Sequence, residues 1–299
     1  MEANWDDLKT FLGVARAETL SRASARLKAD PATLGRRIAR LETALGQVLF
    51  TKSPQGYVLT QEGQRLLPHA VKLEQAMLDA EEDLSGEGTA LSGQIRLGAP
   101  DGCANFVLPQ VCADISRRHP ELDIQIVALP RIFNLSKREA DMAITVSRPE
   151  AGRLVVQKLT DYKLHLAASR GYLAAHGPIA SLADLGAHRL VGYIPDMIFD
   201  KELDYLSGTS FDRVTLASNS ASVQLNMIRQ GGGVGVVHDF ALPAAGGEVM
   251  AVLGEAFSLT RSFYLIRHED DARVARLARF AAELGEGVRR EVARLEALA

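Results

Sequence analysis

The stretch DPATLGRRIARLE, residues 30–42, decides how the first part of the chain folds. An Asp side chain can accept the free N–H groups of a first helical turn, and Pro lacks an N–H where none is needed, so Asp30-Pro31 predicts a helix start. Apolar residues then recur at the spacing of one helical face, namely Leu34, Ile38, Leu41 and Leu45. A helix with one buried side is therefore predicted here.

The other side of this helix is small at its front and basic behind. It carries Ala32, Thr33, Arg36, Ala39 and Arg40, with Gly35 and Arg37 on its flanks. Short side chains permit close approach to a DNA major groove, and Arg can fork onto guanine edges or neutralise phosphates. The alternative is an ordinary solvated face that carries arginines. This helix alone does not decide between the two.

The segments on either side favour the DNA-binding interpretation. Residues 5–17 have apolar side chains at helical spacing, and a short second helix is predicted to follow, capped by Thr19 or Ser21. Further along, two short apolar stretches flank Ser53-Pro54-Gln55-Gly56, which predicts a hairpin. A hairpin after such a helix forms a wing, on which Lys52 can reach the DNA backbone.

Charge is segregated along the chain, although the formal net charge is only −3. Residues 16–52 carry eight basic and three acidic side chains, whereas residues 61–90 carry two basic and seven acidic ones. A basic module followed by an acidic one confines the attraction for phosphates to the first module.

Composition excludes several classes of protein. With 47% hydrophobic and 24% charged residues over 299 positions, the chain has material for the cores of two or three domains, unlike a disordered or fibrous chain. Cys103 and Cys112 are too few for a disulfide framework or a four-ligand zinc site, so we expect two buried thiols in a reducing cytoplasm. No secretory signal and no apolar run of membrane-spanning length is visible, so no membrane partner is expected.

Residues 61–86 are predicted to form a linker helix that pairs two copies of the chain. Their apolar residues step by four and three positions, as in a coiled-coil seam: Leu66, Ala70, Leu73, Met77, Ala80 and Leu84. Because only about three heptads are present, an amphipathic helix lying on its own domain is the alternative. Pro68 predicts a bend. The small, polar residues 85–93 predict a hinge at a domain boundary.

From residue 93 onward, strand-like and helix-like stretches alternate, which indicates an α/β sheet with helices on its faces. The first set comprises residues 95–97, 107–118, 124–127 and 142–146. The second set comprises residues 164–168, 190–193, 214–216, 223–229, 234–237, 263–266 and 271–298. Two such lobes leave a cleft, and a ligand is expected where strand C-termini and helix N-termini meet.

Several motifs resemble those of the LysR-type transcriptional regulators, over nearly the whole chain. They are residues 20–27, 30–42, 49–50, 59–63, 93–97, 118–120 and 138–144. The resemblance implies an N-terminal all-α winged helix-turn-helix joined to a C-terminal two-lobed α/β effector domain similar to periplasmic binding proteins. The domains expected are 1–60 for DNA binding, 61–86 for dimerisation and 93–299 for effector binding.

The resemblance also implies that the stretch from Asp30 to Arg40 reads bases and that Lys52 occupies a wing position. The DNA-binding residues expected are Ser21, Arg22, Asp30, Pro31, Ala32, Thr33, Gly35, Arg36, Arg37, Arg40 and Lys52. Two of them depart from the pattern of the family, since Pro31 stands where Gln is frequent and Gly35 where Ser is frequent. Both departures remove hydrogen-bonding groups from the front of the helix.

Effector contacts are expected, by position in the resemblance, from residues that follow strands or open helices. They are Pro100, Asp101, Gly102, Cys103, Thr145, Ser147, Tyr193, Pro195, Ser220 and Ser222. Each has an ordinary alternative as a loop or capping residue. Many members of the family place a hydroxyl residue near the position of Asp101 to receive a carboxylate ligand. An acid at that position favours a neutral or cationic effector.

The partners predicted are double-stranded promoter DNA, a small-molecule effector, further copies of the chain as a dimer or tetramer, and RNA polymerase. No cofactor, metal or enzymatic activity is expected, because the seven histidines lack metal-ligand spacing and no nucleophile elbow or Walker loop is present. The glycine-rich residues 231–235 precede a strand and predict a turn. Two alternatives stay open: a transport-type solute-binding protein, disfavoured by the basic head, and a cleft enzyme, disfavoured by the missing nucleophile.

Overall fold

The computed structural model describes residues 4–53, 56–85, 91–128, 140–150, 152–206, 214–254, 256–269, 271 and 274–299. The chain divides into two compact units, Met1–Gly86 and Glu87–Ala299. The tip of the expected hairpin (residues 54–55), most of the expected hinge (86–90) and the first two residues of the 138–144 motif lie outside the described residues.

The first unit consists of helices and one small hairpin. Its elements are α1 (Trp5–Ala17), α2 (Leu20–Leu27), α3 (Pro31–Leu45), β1 (Phe50–Ser53), β2 (Gly56–Leu59) and α4 (Gln61–Ser85). Asp30 caps α3 as expected, because its Oδ1 accepts the backbone N–H of Ala32 at 3.1 Å while Pro31 occupies the first turn. β1 and β2 pair antiparallel, with Phe50 opposite Leu59.

The core of the first unit lies where α1, α3 and the hairpin meet. Phe11, Leu34 and Leu41 are completely buried, and the ring of Phe11 lies 5.3 Å from that of Phe50. The expected buried stripe of α3 ends one turn early, since Leu45 is 40% exposed. α3 itself ends at Leu45, so its last turn extends past the core.

α4 begins on this core and then leaves it. Ala70 is completely buried and Leu66 packs against the same cluster, so the first seam positions serve their own unit. Further along, Leu73 and Met77 are 48% and 43% exposed. The side chain of Leu84 lies outside the described residues. Pro68 is accommodated inside the helix.

The second unit is built on one nine-stranded sheet with the order β4-β3-β5-β11-β6-β9-β7-β8, and β10 pairs with β6. The strands are β3 (Gly93–Ala99), β4 (Leu122–Ala128), β5 (Met142–Thr145), β6 (Leu154–Ser169), β7 (Leu190–Gly192), β8 (Leu216–Ala217), β9 (Val234–His238), β10 (Val249–Val252) and β11 (Ser258–His268). The helices are α5 (Asp101–Phe106), α6 (Leu108–Arg118), α7 (Arg170–His176), α8 (Ala221–Arg229) and α9 (Ala275–Glu296). Short 3-10 helices cover Leu182–Ala187, Pro195–Met197, Lys201–Leu203 and Asp239–Ala245.

Two parallel halves are joined by long antiparallel strands. β3 pairs parallel with β4 and β5, and β7 pairs parallel with β8 and β9. β6 and β11 lie between these halves and pair antiparallel with each other. β6 begins at Leu154, ten residues before the stretch 164–168 expected from the sequence. Its first half carries exposed charged residues such as Lys158 and Asp161, which hid the strand from a search for apolar runs.

A buried histidine fastens the start of the second unit. His119, 4% exposed, follows α6 and accepts the backbone N–H of Leu91 at its Nδ1, at 3.1 Å. Its Nε2 lies 3.0 Å from both carboxylate oxygens of Glu283 on α9. Burial alone would raise the pKa of Glu283, but hydrogen bonds from His119 and Arg118 and their charges lower it. Leu91, just before β3, thus shares one hydrogen-bond network with His119 at the end of α6 and Glu283 on α9.

Two helical glycines in the first unit lead to opposite predictions for stability. A Cβ at Gly63 on α4 would lie 2.2 Å from the backbone oxygen of Leu49, whereas a Cβ at Gly35 on α3 would meet only Leu20, at 3.8 Å. Gly63→Ala should therefore destabilise the protein by about 1–3 kcal/mol, because a backbone atom cannot give way cheaply. Gly35→Ala should stabilise it by about 0.5–1 kcal/mol through helix propensity. Urea unfolding of both variants measures the two effects. A Gly63→Ala variant at least as stable as the wild type would contradict the close packing of α4 on Leu49, and a destabilised Gly35→Ala would contradict the open space at Gly35.

Candidate functional site

The exposed side of α3 has the surface predicted from the sequence. Pro31, Ala32, Arg36 and Ala39 are exposed, and one terminal nitrogen of Arg36 donates to the hydroxyl of Thr33 at 3.1 Å. Thr33 and Arg36 thus form a short polar pair at the front of the helix.

The first turn of α2 lies beside this surface. Leu20 Cδ1 is 3.8 Å from the position of a Cβ on Gly35, at the flank of the exposed side of α3. Ser21 and Arg22 follow directly and are both exposed. The structure therefore brings the expected residues of α2 next to those of α3. In the wing, the backbone of Lys52 pairs with Tyr57, and the side chain of Lys52 lies outside the described residues.

Arg40 has a partner inside its own unit that the sequence analysis did not foresee. Its Nε donates to Oδ2 of Asp7 on α1 at 2.6 Å, and a terminal nitrogen binds the other carboxylate oxygen. Asp7 is 2% exposed while the Arg40 side chain is 49% exposed. The hydrogen bond to Asp7 raises the pKa of Arg40. Arg40 thus neutralises a buried carboxylate.

A second candidate site is a small, partly open cavity in the unit Glu87–Ala299, which we call the central cavity. Its volume is about 20 Å³, which is room for about one water molecule. Five of the expected effector residues line it: Pro100, Asp101, Gly102, Cys103 and Tyr193. The other lining residues are Val146, Phe199, Leu203, Tyr205, Asn219, His238 and Phe263. The cavity lies at strand C-termini, as expected. Pro100 follows β3, Val146 follows β5, Tyr193 follows β7 and His238 ends β9.

Ser220 and Ser222 bind a neighbouring residue that lines the cavity. Both hydroxyls donate to Oδ2 of Asp101 at 3.0 Å, and the backbone N–H of Ser222 donates to the same oxygen at 2.9 Å. Asn105 donates to the other oxygen, Oδ1, at 3.1 Å. Ser220 also caps α8 through the N–H of Val223. The two serines therefore act on a side chain of the protein itself.

The remaining expected residues, Thr145, Ser147 and Pro195, do not line the central cavity. Thr145 donates its hydroxyl to the backbone oxygen of Ser147 at 2.7 Å, and Ser147 in turn hydrogen-bonds Asp200. Ser147 and Asp200 line an open groove of about 680 Å³, which shares Val146 with the central cavity. Pro195 is exposed at the start of a short 3-10 helix. The structure therefore does not bring these three expected residues to the same place as Asp101.

The aromatic side of the central cavity was not among the features predicted from the sequence. Tyr205 OH lies 3.2 Å from Nε2 of His238, and both residues are 7% exposed. Burial lowers the pKa of His238 to about 4 and raises that of Tyr193 to about 12, so both are uncharged at neutral pH. His238 ends a strand that the sequence did predict, which was an available signal. Tyr205 lies in an irregular segment without periodicity, and no sequence signal indicated it.

Both cysteines are buried free thiols, as expected. Burial raises the pKa of Cys112 to about 12 and that of Cys103 further, so neither is a reactive thiolate at neutral pH. Within the described part of the chain, no three His, Cys, Asp or Glu residues are grouped so as to hold a metal ion. No helix in the described ranges combines the length and apolar character needed to cross a bilayer.

Comparisons with known proteins match both units to families. The family described as "Bacterial regulatory helix-turn-helix protein, lysR family" matches residues 5–64, and "LysR substrate binding domain" matches residues 88–289. Among sequence relatives, the HTH-type transcriptional regulator DgdR of Burkholderia cepacia is 38% identical over 150 residues, covering 49% of this chain and 50% of that protein. PtxR of Pseudomonas aeruginosa, also an HTH-type transcriptional regulator, is 26% identical over 246 residues, covering 79% and 77%.

Some relatives are thus matched over only part of their length. The match spans 50% of DgdR, and it spans 59% of the Mau operon transcriptional activator of Paracoccus denitrificans at 30% identity. Solved structures share the fold over nearly the whole chain. CrgA of Neisseria meningitidis, a LysR-type transcriptional regulator, has a TM-score of 0.59 at 23% identity and covers 96% of this chain and 99% of its own. A Corynebacterium glutamicum OxyR mutant has a TM-score of 0.70 at 20% identity, covering 99% and 96%.

The buried imidazole of His238 predicts a loss of stability in acid. Because its pKa falls from 6.5 to about 4 on folding, the unfolded chain takes up a proton below pH 6.5 that the folded chain refuses until about pH 4. The contribution of His238 to the free energy of unfolding is therefore fully present above pH 6.5. On the order of 3 kcal/mol of that free energy is lost as the pH falls to 4. In His238→Gln, which keeps an acceptor for Tyr205, unfolding free energies measured between pH 7 and pH 4 should fall less than in the wild type. An identical pH slope in both proteins would show that His238 is not buried neutral.

Proposed function

The chain belongs to the LysR family of transcriptional regulators, and on that premise we propose that it binds promoter DNA through the exposed side of α3 and responds to a small molecule held in the unit Glu87–Ala299. Double-stranded promoter DNA, the effector, further copies of the chain and RNA polymerase are its proposed partners. A regulator of bacterial promoters acts where the genome is, so the cytoplasm is its proposed location.

The observation that carries this proposal is the composition and exposure of one side of α3. Ala32 and Thr33 offer little bulk at the helix N-terminus, and Arg36 is exposed directly behind them. An α-helix fits the B-DNA major groove, where an exposed Arg can bind the two acceptors of guanine with two hydrogen bonds. Since Pro31 and Gly35 have no polar side chain, base readout by α3 falls to Thr33, Arg36 and Arg37. Ser21, Arg22 and Lys52 supply backbone contacts beside the groove.

We propose a domain organisation of 1–60 for DNA binding, 61–86 for dimerisation and 93–299 for effector binding. The exposed Leu73 and Met77 on α4 support the dimer, because apolar residues one helical turn apart are buried when two such helices pair. A dimer presents two copies of α3 to a dyad-related site, so half-site spacing contributes to specificity. Two dimers form the tetramer.

The effector acts by shifting the population of two arrangements of the protein. A ligand that binds one arrangement more tightly favours it by the difference in its binding free energies. The central cavity in the described arrangement has room for about one water molecule. A larger molecule requires a wider cavity, so binding at this place changes the shape of the unit.

The arginines of α3 provide a paired test of DNA binding. Arg36→Ala should weaken binding to a selected duplex by about 10- to 100-fold without lowering the melting temperature, because Arg36 hydrogen-bonds only its neighbour Thr33 among the contacts described. Arg40→Ala should lower the melting temperature, because it leaves the buried carboxylate of Asp7 unpaired.

The measurement is fluorescence anisotropy on a duplex that the wild-type protein selects from a random library, with non-specific DNA as competitor. Arg117→Ala is the matched control, since Arg117 is exposed on α6 and its removal takes away the same charge far along the chain. Full affinity and selectivity of Arg36→Ala would refute the proposed reading face.

The dimer is tested on α4. Replacing Leu73 and Met77 together by Glu should dissociate the assembly towards a monomer of 32.3 kDa, because like charges would face each other across the seam. Lys72→Glu, on the same helix but off the seam, should leave the assembly intact. Sedimentation velocity distinguishes these outcomes. An unchanged sedimentation coefficient of the double variant would show that the chain does not pair through α4.

A further inference from the structure

Hydrogen-bond donors converge on one carboxylate oxygen at the start of α8. Oδ2 of Asp101 accepts from both the hydroxyl and the backbone N–H of Ser222 and from the hydroxyl of Ser220, all at 2.9–3.0 Å. These serines lie 119 and 121 residues further along the chain. The contact therefore connects the half of the unit built on β3 to the half built on β7 and β9.

The oxygen occupies the position at which an external anion would bind a helix. Free N–H groups and the positive end of the helix dipole favour negative charge at a helix N-terminus, and α8 is nine residues long. Here a side chain of the same chain provides that charge. Close packing supports the placement, because a Cβ on Gly102 would lie 3.4 Å from His238 and 3.6 Å from Ala221. The start of α5 is thus pressed against α8 and β9.

The same carboxylate sets the charge of the central cavity. Of the described residues that line it, Asp101 alone carries a charge at neutral pH, since His238 is neutral there. Three hydrogen bonds end on its Oδ2 and one on its Oδ1, so Oδ2 is the oxygen that is saturated with donors. An anion in the cavity would face this charge at short range in a medium of low dielectric constant.

We propose that the carboxylate of Asp101 is a built-in occupant of the anion-binding position at the N-terminus of α8, so that the cavity rejects carboxylate ligands and takes an effector without negative charge. That the cavity takes an effector rests on the proposed function, whereas the occupancy of the position by Asp101 does not. A tethered carboxylate has a high effective concentration at its binding position, so free carboxylates compete poorly with it. Removal of the tethered group should convert the position into a receptor for small carboxylates.

The test is chemical rescue of the full-length chain. Asp101→Ala deletes one carboxylate group, which formate can replace. In 100 mM NaCl the melting temperature of this variant should lie about 4–8 °C below that of the wild type, because charge-assisted hydrogen bonds are lost. Replacing the NaCl by 100 mM sodium formate should recover about 3 °C in the variant and nothing in the wild type. If the variant folds only in formate, the proposal is equally supported.

Two controls separate this outcome from general salt or packing effects. Asp101→Asn fills the space with an uncharged group, so it should lose stability without responding to formate. Asp114→Ala removes an exposed acid on α6 and should not respond either. The wild type is also tested against 10 mM acetate, pyruvate, succinate and benzoate, none of which should raise its melting temperature above that in matched NaCl.

Either of two results would overturn the proposal. One is an Asp101→Ala variant that formate stabilises no more than chloride does, or that fails to fold in both salts. The other is a wild-type protein that any of the four carboxylates stabilises. The readout involves no DNA, so its failure is distinct from that of the proposed function. If formate rescues the variant but the chain binds no DNA, the occupancy by Asp101 is supported and the proposed regulator function is refuted.

Discussion

The antiparallel pairing of β6 with β11 is the constraint on which the second unit depends. β11 pairs with β6 along its whole length, while its last residues also pair with β5, and β6 continues to pair with β9 and β10. The two parallel halves of the sheet thus share one pair of strands. Because of this pair, the C-terminal ends of β3 and β9 lie close enough for Asp101 and His238 to line the same cavity. Arg261 connects β11 to the short 3-10 helix Lys201–Leu203, since its Nε donates to the backbone oxygen of Glu202 at 3.1 Å.

The first unit follows from the burial of one side of α3. With Leu34, Ile38 and Leu41 in the core, a period of 3.6 residues turns Ala32 and Arg36 towards solvent. A basic exposed side is electrostatically suited to DNA. The buried carboxylate of Asp7 draws Arg40 away from this role in part, because an unpaired buried charge would destabilise the unit. The same helix therefore supplies both a stabilising cation and the proposed reading surface.

The interior of the second unit combines apolar packing with polar groups that are held uncharged or fully hydrogen-bonded. His238 and Tyr193 are kept neutral by burial, and Asp101 is charged but bound by four donors. The partners of Asp101 and His238 all belong to the protein itself, which stabilises these polar groups in an apolar surrounding.

The sequence by itself determined the helical head, the start of α3 at Asp30, the exposure of Arg36 and the α/β character of the second unit. These features depend on capping chemistry and on the periodicity of apolar residues, which are local properties of the chain. The resemblance to the family, applied position by position, also indicated five of the residues that line the central cavity. Only the tertiary structure decided that Arg40 pairs with Asp7, that Tyr205 and His238 share a hydrogen bond, and that Ser220 and Ser222 hold Asp101. Each of these contacts joins residues more than thirty positions apart, and their meeting depends on how helices and strands pack, for which a local pattern carries no information.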